Sequence, residues 1–193
     1  MIIKMRNILI ISLLALGSLA LTGCSKTASE SICTIHGTVP DPSKEGKKIF
    51  LIPMFGKQDA EHVDSTVIKD GKFLFRSDSA EMKIIRLDYH YRDNVQELLV
   101  VTEPGELQVA IGPDSRCSGT PQNDSLQVWK DNIIRLNKAY NLLRMQNDRQ
   151  PSDSAAARMK EMQAEFKSFN HAFYSRQPAG IFKDFLKKTM GEQ

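Results

Sequence analysis

The chain has 193 residues, with 26 Lys and Arg against 23 Asp and Glu and a formal net charge of +3. That balance lacks the strongly basic surface of a nucleic-acid-binding protein, and the length fits one or two small domains with a real core. Part of the positive charge is local: Lys4 and Arg6 open a stretch with no acidic residue through Gly23, so the rest is nearly neutral.

Ile8 to Leu21 is an apolar run behind that basic start. A positive n-region, a short apolar h-region and small residues at its end describe a secretory signal peptide over residues 1–23. As a helix the run reaches about 21 Å, short of the hydrocarbon core of about 30 Å, which disfavours a transmembrane anchor. Leu21-Thr22-Gly23-Cys24 resembles the lipobox of bacterial lipoproteins. The resemblance implies cleavage before Cys24, lipidation of that cysteine and attachment to the membrane through the lipid anchor. The alternative is an ordinary secreted protein in which Cys24 has no such role. Residues 24–31 are small and polar and read as a flexible tether. Ser25-Lys26 is not followed by the acidic pair of a surface-export tag, so the expected location is the cell envelope, on the outer membrane facing the periplasm.

Residues 32–120 read as an antiparallel β domain, a sandwich or barrel-like sheet. Ile32–Val39 mixes β-branched and polar residues, and Lys48–Met54 is an apolar run ending near a proline. Asp64–Arg76 is the clearest hairpin, because Asp70-Gly71 supplies the positive φ angles of a tight primed turn. Phe73 and Phe75 then share a face. Leu87, Tyr89 and Tyr91 alternate with Asp88 and His90, as on a half-buried strand. Pro104-Gly105 presets a turn between Glu97–Thr102 and Glu106–Ile111.

From residue 121 to 193 the period changes to 3.6. Asn123-Asp124-Ser125 provides caps, and Leu126, Trp129, Ile133, Leu136, Tyr140 and Leu143 form one stripe, predicting a helix to about residue 147. A second helix starts near Ser152 or Asp153 and carries Met159, Met162, Phe166, Phe169 and Phe173. The short break between them predicts an antiparallel helical hairpin, and Ile181–Met190 a short amphipathic tail helix. The fold class is therefore α+β. The aromatic and methionine stripes read as packing rather than as a ligand groove. Lys183, Lys187 and Lys188 read as the solvated face of a packed tail helix, with a membrane-surface role as the alternative.

Of the three cysteines, Cys33 and Cys117 remain once Cys24 is assigned to lipid. Outside the reducing cytosol they suit a disulfide closing a long loop, or equally two buried free thiols. Neither lies in a Cys-x-x-Cys, so a redox-catalytic pair is disfavoured. His36, His62, His90 and His171 are dispersed, without local metal-site spacing. Ser65 and Ser118 lack a nucleophile-elbow pattern. Glu103 and Glu106, flanking Pro104-Gly105, read as a solvated turn rather than as a carboxylate pair. No catalytic residue, metal or cofactor is expected.

Ile35–Val39, Val63–Phe75, Thr102–Glu106 and Cys117–Asp124 occur in an order that resembles domain of unknown function 4369, over approximately residues 32–130. That domain commonly lies near the N-terminus of lipoproteins carrying a thioredoxin-like or peroxiredoxin-like domain. Gln193 falls about where such a domain would begin, with no Trp-Cys-x-x-Cys before it, so the oxidoreductase activity of longer relatives maps onto no residue here. The resulting expectation is a non-catalytic, lipid-anchored envelope protein acting as a binding or interaction module, with an envelope protein as partner. A redox accessory exchanging a Cys33–Cys117 disulfide with a thioredoxin-like partner, or a product truncated before such a domain, stands as the alternative.

Overall fold

Alternating burial builds most of the strands. The structure, a computed structural model, describes residues 32–87 and 96–191. Cys24, the signal segment, the tether and the Asp88–Tyr91 alternation lie outside the described residues. In chain order come β1 (Cys33–Thr38), a single 3-10 turn (Pro42–Lys44), β2 (Lys48–Pro53), β3 (Asp64–Val67), β4 (Lys72–Ser77), β5 (Met82–Leu87), β6 (Leu98–Val101), β7 (Gly105–Ala110) and β8 (Arg116–Ser118). Three helices follow: α1 (Pro121–Arg149), α2 (Asp153–Arg176) and α3 (Ile181–Thr189). Among the described residues no helix is long and apolar enough to cross a membrane.

The strands form two four-stranded sheets, β4-β1-β7-β8 and β3-β2-β5-β6. Their facing sides share one core that includes Ile35, Phe73, Phe75, Leu107 and Val109 from the first sheet and Ile49, Leu51, Ile85, Leu98 and Val100 from the second. This is a sandwich. Period-two alternation is cleanest in β4, where Phe73 and Phe75 point inward, edge to face with centroids 5.6 Å apart. Gly37 lies across from Phe73 in the β1–β4 ladder, and the Phe73 ring occupies the space a Cβ would need, 2.0 Å from that position. The absent side chain lets the ring lie flat on the sheet.

The second sheet is covered on both faces, which explains its near-continuous apolar strands. In β6, Leu98 and Val100 face the sandwich core, while Leu99 and Val101 face a second cluster with Met82, Leu126, Phe173, Phe182, Phe185 and Leu186. The tail helix is thus a packing element: Phe182, Phe185 and Leu186 are buried against the sheet. Two of its lysines lie over aromatic rings, Lys183 over Tyr174 and Lys188 over Phe55.

Two local signals act differently from their sequence reading. Asp70 (φ 53°) and Gly71 (φ 65°) make the primed turn, closed by the Lys69–Lys72 bridge. Beyond that bridge β3 pairs with β2 and β4 with β1, so the turn carries the chain from one sheet to the other. Pro104-Gly105 likewise separates β6 from β7, which lie in different sheets. Because β7 arrives by a crossover, it runs parallel to β1, the one exception to the antiparallel pairing of the described ladders.

Glu103, expected in a solvated turn, is buried and caps α1. Its Oε1 accepts hydrogen bonds from the backbone N–H groups of Gln122 (2.7 Å) and Asn123 (3.3 Å), and its Oε2 accepts from Gln122 Nε2 (2.9 Å). An acceptor is needed there because Thr120, at the N-cap position, makes no side-chain cap, and a carboxylate also complements the helix dipole. Asn123, expected to cap, is instead inside the helix and fully buried. It accepts from Val101 N–H (2.9 Å) and donates to Val101 C=O (2.7 Å), pairing the open edge of β6. Gln122 Oε1 accepts from Phe182 N–H at 2.9 Å, so one turn of α1 also seats the start of α3.

Candidate functional site

The helical arm and the groove at its base are where this molecule departs from a closed sandwich. At about 1.5 Å per residue, the 29 residues of α1 and the 24 of α2 extend roughly 43 and 36 Å. Among the described residues, the hydrogen bonds and ion pairs joining α1 to the sheets come from residues 122–131. Past Asp131 the helix packs on α2. Ser152 caps α2, which starts where the sequence predicts, its Oγ accepting from Ala155 N–H at 3.1 Å. At the arm's base Trp129 Nε1 donates to Asn170 Oδ1 at 2.8 Å, and the indole meets Phe182 and Phe185 edge to face.

The predicted stripe of α1 does face α2, but only Leu126 in it is fully buried; Trp129, Ile133, Leu136, Tyr140 and Leu143 stay half-buried. Two helices share one line of contact, and a third surface is needed to close the seam. A groove of about 210 Å³ runs there, lined by Leu136, Asn137, Tyr140, Met162, Gln163 and Phe166, with Gln163 Nε2 donating to Tyr140 OH at 3.0 Å. The back of α1 is apolar too: Ile134, Leu142 and Met145 are 45%, 56% and 51% exposed. At 100° per residue these three fall within one quadrant, opposite the stripe.

At the base, β7, β8 and the first turns of α1 enclose a groove of about 510 Å³ lined by Gln108, Arg116, Cys117, Gln127 and Asp131 among others. Arg116 and Asp131 bridge it with a contact of 2.6 Å. Gln127 Oε1 accepts from Cys117 N–H at 3.0 Å. Lys130 Nζ lies 3.7 Å from Cys117 Sγ and 3.5 Å from Leu99 C=O. Burial pushes the Cys117 thiol above its ordinary range, with Lys130 opposing, and pushes the Lys130 amine below its own.

The two thiols considered as a disulfide are both free and buried. Cys33 pairs with Gly105 and Gly37 with Val109 in the β1–β7 ladder, while Cys117 pairs with Val109 on the far side of β7. Two strand spacings and four residues along the strands place them about 16 Å apart, beyond the Cα separation of about 7 Å that a disulfide spans. Burial also raises the Cys33 thiol. The bond is not formed, because both side chains are spent on the sandwich core at separate levels.

The histidines are not gathered. His36, His62 and His171 are exposed on different elements, and His90 lies outside the described residues. Asp59, Glu61 and His62 come within 4.8 Å of one another in an exposed loop. There Asp59 Oδ1 accepts from the N–H groups of Glu61 and His62 and contacts His62 Nδ1 at 2.5 Å, organising a turn. Ser65 and Ser118 are exposed.

These features define a two-sheet sandwich that carries a helical arm. Residues 33–126 match the family described as Domain of unknown function (DUF4369). The match ends at Leu126, the fully buried stripe residue, so the family covers the sandwich and the anchored start of α1 while the arm lies beyond it. No curated protein and no solved structure matches the chain.

Proposed function

We propose that the protein is a non-catalytic binding module, held at the cell envelope by lipidated Cys24 and facing the periplasm, with a protein partner seated on the helical arm. The observation that carries this reading is the apolar surface of the arm: a seam left open along Leu136, Tyr140 and Phe166, and Ile134, Leu142 and Met145 exposed behind it. Exposed apolar residues grouped on one element mark interaction surfaces more often than isolated ones do. The sandwich supplies a rigid base, and the tether outside it supplies reach from the membrane. A disulfide-exchange role for Cys33 and Cys117 is disfavoured by their burial and separation.

The test is photo-crosslinking in intact envelopes, with the crosslinking side chain placed at Leu142, at Met145 or at Leu74 on the exposed face of β4. The expected result is a discrete adduct from the two arm positions and none from Leu74. Equal or absent adducts at all three positions would contradict the arm as the binding surface. The anchor is tested separately: Cys24→Ala should abolish lipid labelling and release the protein from the membrane fraction, and retained labelling would refute the lipobox.

A further inference from the structure

Cys117 and Lys130 are a thiol and an amine held against each other at the point where β8, β6 and α1 meet. The sulfur is bordered by Leu99 C=O (4.0 Å), Asn123 C=O (3.8 Å) and Gln127 Oε1 (3.6 Å), all oxygens, and by one side-chain nitrogen, Lys130 Nζ at 3.7 Å. Lys130 has no carboxylate within ion-pair distance among the described residues, and its two polar contacts are both long. Cys117 is 3% exposed and borders the groove between β7, β8 and α1, so peroxide has only restricted access to its sulfur.

We propose that Cys117 and Lys130 form an oxidation-dependent covalent staple, a direct sulfur–nitrogen bond made after hydrogen peroxide has oxidised the thiol. In the first step the sulfur attacks peroxide. The O–O bond breaks, an S–O bond forms, and one water leaves, giving the sulfenic acid. In the second step the Lys130 lone pair attacks sulfur and the S–O bond breaks. The departing hydroxide takes a proton from nitrogen and leaves as a second water. Sulfur is oxidised by two electrons and peroxide is reduced by two, so the protein loses two hydrogen atoms in all. A dithiol reductant reverses the link: its first thiol attacks sulfur, the S–N bond breaks and the amine leaves with the proton, and its second thiol then displaces Cys117 from the mixed disulfide as the free thiol.

The surroundings favour capture over escape. Burial shifts Lys130 toward the neutral amine that acts as nucleophile, and the flexible four-carbon stem of a lysine closes the gap without backbone movement. Burial also keeps the thiolate scarce, so the first step is slow. Because Lys130 sits in the third turn of α1 and Cys117 in β8, the bond would lock the base of the arm to the first sheet. It is an intramolecular modification and requires no partner on the arm.

The experiment treats the full-length, membrane-extracted protein with hydrogen peroxide and digests it with trypsin without reductant. Arg116 precedes Cys117, and cleavage after Lys130 requires its free amine, so the staple converts peptide 117–130 into peptide 117–135. The expected result is that longer peptide about 2 Da lighter than its unmodified mass, with dithiothreitol restoring the 2 Da and a second trypsin digestion then giving the shorter form. Lys130→Arg should abolish the mass loss and increase trapping of Cys117 sulfenic acid by dimedone. Sulfenic acid on Cys117 with cleavage after Lys130 intact would overturn the proposal. So would a link that retains an oxygen atom, or an unmodified Cys117 after prolonged peroxide.

Discussion

The sandwich and the arm obey the same burial rule with opposite outcomes. In the sandwich, strands of at most six residues turn side chains into a closed core, and Ile35, Ile49, Leu51, Ile85 and Leu107 have no exposed surface. In the arm, α1 is 29 residues long and buries only Asn123 and Leu126, whereas α3 buries three residues in nine. Two sheets close on each other, and the second sheet is closed again by α3 and the bases of α1 and α2. A helical pair without a third layer cannot close, and its seam stays available. The same amphipathic pattern thus makes a core in one place and a surface in the other.

The largest expected effect breaks that comparison on the sandwich side. Leu51→Ala should lower unfolding free energy by about 3–5 kcal/mol, from lost burial plus the cavity left behind. Leu142→Ala on the arm should change it by less than about 0.5 kcal/mol; chemical denaturation measures both. Next comes the joint between the regions. Asn123→Ala leaves the Val101 N–H and C=O without their buried partners and should cost about 3 kcal/mol. Glu103→Gln keeps the shape of the α1 cap but removes its charge, for about 1 kcal/mol.

Much of the fold was legible because its signals are local. Asp70-Gly71, the period-two faces of Phe73 and Phe75, the 3.6 stripes of α1 and α2 and the start of α2 near Ser152 each depend on residues within a few positions. What failed depends on distance. Nothing near Glu103 announces that its carboxylate caps a helix starting 18 residues later, and nothing in Asn123-Asp124-Ser125 reveals that Asn123 pairs a sheet edge. The parallel β1–β7 pair follows from a change of sheet that turn chemistry does not encode. For the candidate site, the stripe was visible, but its incomplete burial was not, since periodicity reports a face and not what covers it. The Cys117–Lys130 contact arises because the sharp start of α1 folds a residue 13 positions later back onto β8.

The smallest effect lies on the exposed Asp59–His62 turn. Their shared hydrogen bond lowers the Asp59 carboxyl and raises the His62 imidazole from their ordinary values. Asp59 therefore favours the folded state above its unfolded pKa, and loses that effect as pH falls through its folded one. His62 favours it fully below its unfolded pKa, and loses that effect as pH rises through its folded one. Asp59→Asn should bring the His62 titration, followed by NMR, down toward the ordinary histidine value while leaving sandwich stability unchanged.

In the function we propose, a partner completes the arm, whereas the sandwich closes on itself. Hydrogen exchange of the full-length protein, in its own envelope and then purified in detergent, measures that directly. Amides of residues 134–149 and 153–165 are expected to exchange more slowly in the envelope, while those of β1, β2, β5 and β7 are unchanged. Arm amides exchanging at the same rate in both settings would contradict it.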